Sequence, residues 1–220
     1  MSLTPTEILR RLESEYGPRY WEPHLDPLSE LISCVLSQNT SDKNSRPAFQ
    51  ELKARFPRWE DMAQASPDEI ASAIRRGGLA NVKAPRLKHL LQEIHKRRGA
   101  LNLSFLSELP IAEAKAWMTS LPGVGPKTAA VVLLFSFDKP ALPVDTHVYR
   151  VSQRLGLFNS KLSPEKAQAV LEGMVSPQDY YAFHVLLIEH GRQVCRARQP
   201  LHTRCVLADD CPYYQQGGNP

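Results

Sequence analysis

The sequence predicts an all-α protein, and three observations carry that prediction. A capping-type residue stands directly before proline at five places, Thr4-Pro5, Asp26-Pro27, Ser66-Pro67, Ser163-Pro164 and Ser176-Pro177. That pairing marks an N-cap followed by the first helical position. Behind these starts, apolar residues recur at helical spacing rather than at every second residue. No segment alternates in the manner of a strand closed by hairpin turns. About ten helices joined by short loops account for the 220 residues, with no internal repeat and no long linker.

Taken in order, the first helix follows Thr4 and carries Ile8, Leu9 and Leu12 on one face. Glu7 falls three residues after the cap, as a capping box requires. The second follows Asp26, with Leu28, Leu31, Ile32 and Val35 in phase. Ser66 opens another, and Glu69 holds its box position. A helix over 111–120 runs into Leu121-Pro122-Gly123-Val124-Gly125, and a helix over 127–137 follows with the longest apolar run, Ala129 to Phe135. That run is a core helix by length, well short of the ~18 to 20 residues a bilayer needs. Asp145 precedes Val148, Val151 and Leu155, and Ser163 precedes Ala167, Val170, Leu171 and Met174. The terminal QQGGNP reads as loose. The N-terminus lacks an apolar signal-type stretch, so the chain is expected to be soluble and intracellular, in the cytoplasm or nucleoid, with no membrane partner.

Lys and Arg exceed Asp and Glu by 27 − 23 = 4, a mild excess that is unevenly placed. Lys83, Arg86, Lys88, Lys96, Arg97 and Arg98 face a single acid, Glu93. Arg192, Arg196, Arg198 and Arg204 have no acid among them. A lone cluster reads as a solvated helix face; two clusters beside the turn described next point to a polyanion.

In LPGVGPKTA, Gly123 and Gly125 can take positive φ and leave backbone N–H groups uncovered. Those groups open the following helix, whose dipole adds partial positive charge. A backbone phosphate can dock there without any base being read, and Leu121 and Val124 would anchor the turn from below. This is a helix–hairpin–helix DNA-binding element. Lys127 sits on the first helical turn, where positive potential favours its neutral, nucleophilic amine. Such an amine can attack a sugar carbon and form a Schiff base. Attack at C1′ also calls for an anion beside the oxocarbenium-like state. Asp145, 18 residues on in Leu142-Pro143-Val144-Asp145-Thr146-His147, can supply it while also capping a helix.

Together these residues resemble the endonuclease III family of helix–hairpin–helix DNA glycosylases, over about Leu28 to Cys211. LPGVGPKTA carries the family's catalytic lysine at Lys127, and VDTHVYRV its catalytic aspartate at Asp145. Gly78-Leu79-Ala80-Asn81-Val82-Lys83-Ala84 matches the GL-x-x-x-KA loop, which puts the duplex-plugging leucine at Leu79. Leu36-Ser37-Gln38-Asn39-Thr40-Ser41-Asp42 matches the wedge segment, which puts the wedge on Asn39, where many members have glutamine, or on its neighbour Gln38. The resemblance also implies DNA contact by Gly123, Val124, Gly125, Thr128 and His147. It implies two helical lobes: a six-helix domain over 26–137, and a lobe made of 1–25 with 138–220, with DNA in the cleft between. The implied activity is that of a bifunctional glycosylase and AP lyase acting, as a monomer, on damaged pyrimidines in double-stranded DNA. The alternatives are a uracil or thymine-mismatch glycosylase and a non-catalytic DNA-binding module. Pro126 departs from the arginine that often precedes the lysine.

The C-terminal stretch Cys195-x6-His202-x2-Cys205-x5-Cys211 keeps the family's C-x6-C-x2-C-x5-C spacing for a 4Fe–4S cluster, with histidine at the second position. A Cys3His-ligated cluster, a structural zinc site and a degenerate loop held by packing alone are the three readings. Under either metal reading the role is structural, holding the Arg196, Arg198 and Arg204 loop toward phosphates. The fourth cysteine, Cys34, sits on an apolar helix face and reads as core.

Overall fold

The computed structural model describes residues 3–158 and 161–218. Asn219 and Pro220, the end of the stretch read as loose, and the side chain of Asp42 lie outside the described residues. Among those described there are no strands. The helices in chain order are α1 (Pro5–Tyr16), α2 (Pro27–Ser37), α3 (Asp42–Arg55), α4 (Trp59–Gln64), α5 (Pro67–Ala73), α6 (Ala80–Arg98), α7 (Ile111–Thr119), α8 (Pro126–Phe137), α9 (Thr146–Arg154), α10 (Pro164–Met174), α11 (Tyr180–Gln193) and α12 (Pro212–Gln215). No helix is long and apolar enough to cross a membrane among the described residues.

The caps explain where these helices begin. Thr4, Asp26, Ser66 and Ser163 each accept a hydrogen bond from the backbone N–H three residues on, with proline at the first helical position. Ser66 and Glu69 complete a reciprocal capping box. Glu7 does not: its carboxylate turns to Arg10 and Arg11 at 2.9 and 3.1 Å instead. Ser176-Pro177 opens only a 3-10 turn, and α11 begins afterwards at Tyr180.

The chain divides into two compact units, Pro23–Lys139 and a second made of Met1–Glu22 with Pro140–Pro220. The first contains α2 to α8, seven helices rather than six, because the segment after α3 breaks into two short helices at Arg58 and Ser66. Within it α2 packs on α8, α5 on α6 and α7 on α8. Leu31, Ile32 and Leu36 of α2 and Val132, Leu133 and Leu134 of α8 are fully or almost fully buried. Helix α8 is apolar on every side, as a helix enclosed by others must be. Cys34 is buried, as its apolar setting implies.

In the second unit α11 packs against α1 and α9. Ile8, Leu12, Val148, Val151, Phe183 and Leu187 form its core. On α10 the apolar stripe is only half used: Ala167 and Leu171 are buried, while Val170 and Met174 are 37% and 44% exposed. Spacing identifies the helix correctly there, but a four-residue apolar stripe is wider than the surface α10 covers.

Ser66→Ala removes the hydroxyl of the capping box and leaves everything else in place. Its cost should be about 1 kcal/mol, read as a lower urea midpoint with an unchanged slope.

Candidate functional site

The turn between α7 and α8 is built as its sequence implies, with one correction. Gly123 has φ +76°, a conformation glycine adopts without strain. Gly125 is instead extended, at φ −91° and ψ 176°, and serves as the N-cap of α8. Leu121 and Val124 are 3% and 5% exposed and pin the turn to the core. Val124 spends its N–H on the Leu121 carbonyl at 3.2 Å, so this residue, expected to meet DNA, offers neither side chain nor donor. The buried Thr128 side chain is likewise withdrawn. What faces outward is the exposed backbone of Gly123 and Gly125, next to the first-turn N–H groups of Lys127 and Thr128, which have no carbonyl a full turn behind them in the helix. Lys127 is half-buried on that turn.

The two loops assigned to duplex insertion share a backbone feature. Asn39 and Leu79 are non-glycine residues in the left-handed region, at φ +54° and +53°. Asn39 is exposed, and Leu79 is 54% exposed despite being apolar. Gln38 is folded back, its Nε2 donating to the Gly123 carbonyl at 3.3 Å. The basic cluster of α6 keeps Arg86, Lys96, Arg97 and Arg98 exposed but loses part of its charge to internal contacts. Lys83 is buried, Lys88 donates to the Ala65 carbonyl, and Arg97 bonds to Glu93 and Ser120. As a polyanion-binding patch it is therefore smaller than its sequence implies.

In the other unit Asp145 caps α9, as its position predicts. Its Oδ1 accepts from the N–H groups of His147 and Val148 at 2.9 and 2.7 Å. His147 approaches Arg150, 3.1 Å between Nδ1 and Nη2. Arg150 also donates to the carbonyls of Gly191 and Cys195 at 2.9 and 3.1 Å. Gly191 makes room for this: a Cβ there would stand 3.0 Å from His147 Nδ1 and 3.1 Å from Arg150 Nη2. Burial lowers the His147 pKa, with the Asp145 carboxylate opposing and the Arg150 and Arg192 guanidinium groups reinforcing.

Cys195, His202, Cys205 and Cys211 line one small, mostly apolar cavity. Three thiols and an imidazole are suitable chemistry for a soft metal or an iron–sulfur cluster. Their donor atoms nonetheless form no group able to hold a metal ion among the described residues. The His202 ring stacks on Tyr214 with centroids 4.6 Å apart, and its Nε2 bonds to the Gly218 carbonyl at 3.1 Å. Cys195 Sγ accepts from Arg154 at 3.3 Å, Cys205 Sγ lies 3.5 Å from His190 Nε2, and Cys211 Sγ donates to the Arg154 carbonyl at 3.5 Å. The four side chains thus share one cavity, and each also has a protein contact of its own. The loop is held by arginine: Arg154 also donates to the carbonyls of Arg196 and Ala197 and lies 4.3 Å over the Tyr213 ring. Sequence reasoning missed Arg150 and Arg154, although their (i, i+4) spacing placed both on one face of α9.

An all-helical chain whose glycine turn opens a buried helix under a lysine defines a helix–hairpin–helix protein. A family model described as HhH-GPD superfamily base excision DNA repair protein matches residues 32–177, and the chain belongs to that family. It is 33% identical over 214 residues to an endonuclease III of Thermotoga maritima, covering 96% of this chain and 95% of the relative. To a candidate DNA glycosylase of Arabidopsis thaliana it is 35% identical over 188 residues, 84% of this chain but 64% of that longer protein. Among solved structures, a non-covalent endonuclease III–DNA complex superposes with a TM-score of 0.83 at 29% identity, covering 98% of both chains.

Arg154→Ala removes the anchor of the C-terminal loop, so amide exchange over residues 195–201 should speed up roughly tenfold or more. His147 makes a separate prediction about acid. Because the folded state holds this imidazole neutral below its ordinary pKa, the unfolded chain binds the proton first as pH falls. Its contribution to stability is present above about pH 6.5 and is lost as pH falls below that. His147→Gln should flatten the dependence of urea stability on pH below about 6.5.

Proposed function

We propose that this protein is a monomeric, bifunctional DNA glycosylase and AP lyase that removes oxidised pyrimidines from double-stranded DNA. The observation that carries the reading is the placement of Lys127. It stands half-buried on the first turn of α8, directly behind an uncovered glycine backbone, in a chain of the base-excision family.

A phosphate of the lesion strand docks on the N–H groups of Gly123, Gly125 and the first turn of α8, where the helix dipole favours negative charge. The target nucleotide leaves the stack, because its C1′ is unreachable inside a duplex. Asn39 and Leu79 fill the gap, offsetting part of the unstacking cost of a few kcal/mol. Lys127 Nζ then attacks C1′ as the glycosidic bond breaks, and the base departs with the bonding electrons and takes up a proton. Asp145 stabilises the positive charge that develops on the sugar. The amine adduct opens the ring to a Schiff base, a proton leaves C2′, and the C3′–O bond breaks with the 3′ phosphate as leaving group. No step uses the C-terminal loop.

Borohydride should trap a covalent adduct between the protein and thymine-glycol or abasic DNA, and Lys127→Ala should abolish it. Intact DNA binding without any wild-type trapping would remove the lyase assignment. Asp145→Asn keeps a good capping side chain while deleting the charge, so it should slow excision about 100-fold or more with little change in binding. Equal loss of both would contradict the role given to Asp145. A panel of duplexes with thymine glycol, dihydrouracil, uracil or thymine opposite guanine separates oxidised-pyrimidine excision from mismatch excision.

A further inference from the structure

Lys83 is a lysine in the wrong place for a DNA contact. It is 4% exposed, and no carboxylate pairs with it among the described residues. A buried ammonium is costly unless its donors are satisfied, and here backbone and hydroxyl oxygens satisfy them. Nζ donates to the Leu36 carbonyl at the end of α2, 2.5 Å away, and to Thr40 Oγ1, 2.6 Å away. The Thr40 hydroxyl in turn donates a hydrogen bond to the Gly77 carbonyl at 2.8 Å.

These bonds connect two segments far apart in sequence. Leu36 and Thr40 bracket Asn39; Gly77 leads directly into Gly78 and Leu79. Gly77 itself is buried so tightly that a Cβ there would stand 3.0 Å from the Ala48 methyl. Lys83 also closes the first turn of α6 on Leu79, whose carbonyl accepts its N–H at 2.9 Å. Both left-handed residues, Asn39 and Leu79, therefore sit one or two residues from the same chain of hydrogen bonds. A left-handed leucine persists only where its surroundings over-determine it, and this chain supplies such surroundings.

We propose that Lys83 is a positioning residue that couples the Asn39 turn to the Leu79 turn through Thr40, so that both enter a duplex as one pre-formed wedge. The inference rests on the glycosylase reading above for its effect on excision, but not for the coupling itself. It assigns Lys83 to loop geometry rather than to phosphate binding, and it makes Thr40 part of the insertion device through a hydroxyl bonded inward to Gly77.

The test uses the full-length protein with Thr40→Val, which deletes the hydroxyl at constant shape, Thr40→Ser, which restores it, and Lys83→Met. Hydrogen exchange of the free protein comes first. In Thr40→Val and Lys83→Met, amides of residues 38–41 and 76–80 should exchange roughly tenfold faster together, and Thr40→Ser should stay near wild type. With lesion duplex carrying 2-aminopurine opposite the damage, Thr40→Val should lose most of the fluorescence change. Its single-turnover excision should slow about tenfold, with Kd for undamaged duplex within about twofold. A folded Thr40→Val whose 76–80 segment exchanges as in wild type overturns the coupling, even if Lys83→Met fails to fold. Normal excision and fluorescence in a Thr40→Val whose loops do exchange faster overturns the insertion role. A wild type that excises no lesion removes the glycosylase reading instead, and the exchange data still decide the coupling.

Discussion

The function proposed for this chain depends on a few residues of glycine backbone at the turn between α7 and α8. A helix must begin with N–H groups that lack a helical partner, and α1, α2, α5, α9 and α10 hide that end behind a serine, threonine or aspartate side chain. Helix α8 does not. Gly125 caps it with backbone alone, and Pro126 occupies the position whose donor would be orphaned in any case. The turn can remain bare because Leu121 and Val124 anchor it from within. The body of α8 is enclosed on all sides, so its first turn is fixed relative to the core of its unit. The position of Lys127 is inherited from apolar packing, not from any hydrogen bond or ion pair of its side chain among the described residues.

The left-handed residues show the same division of labour. For leucine that conformation costs roughly 1–2 kcal/mol, and asparagine tolerates it better. Leu79 combines the strain with 54% exposure of an apolar side chain, two unfavourable features that folding alone would not retain. Supporting bonds run beneath the loop from Lys83 and Thr40, which leaves the Asn39 and Leu79 side chains without hydrogen bonds of their own among the described residues. Gln38 is the exception in this segment, since it is tied to the hairpin carbonyl of Gly123.

Much of this was legible in the sequence because it is local. Four of the five cap-plus-proline pairs open α-helices, and Asp145 caps α9, since a cap is decided by residues three apart. The features that were not legible are decided across space. Glu7 stands where a capping box would put it, but two arginines one turn on compete for its carboxylate. Gly125 shares its residue type with Gly123 but not its backbone, because only one of them has to reverse the chain. Lys83 was counted with a charged patch, yet it lies in phase with Leu87, Leu90, Leu91 and Ile94, all buried. That phase was the available signal. His202 keeps the spacing of a ligand, and its contacts with the Tyr214 ring and the Gly218 carbonyl are ones no spacing rule reveals.

The contrast between Asp145 and Lys127 follows from what each would have to do. One oxygen of Asp145 holds two backbone N–H groups of α9, so the carboxylate is immobilised by the helix it caps. A charge meant to meet a developing cation works best when it is already oriented and no reorganisation is needed during the reaction. A nucleophile has the opposite requirement, because it must advance on the sugar carbon and then follow it as the ring opens. Lysine supplies that freedom through its four-carbon stem, while α8 fixes the point from which the stem swings. Rigid anion and mobile amine are thus each produced by the start of a helix, one by a side chain that caps it and the other by a glycine that leaves it bare.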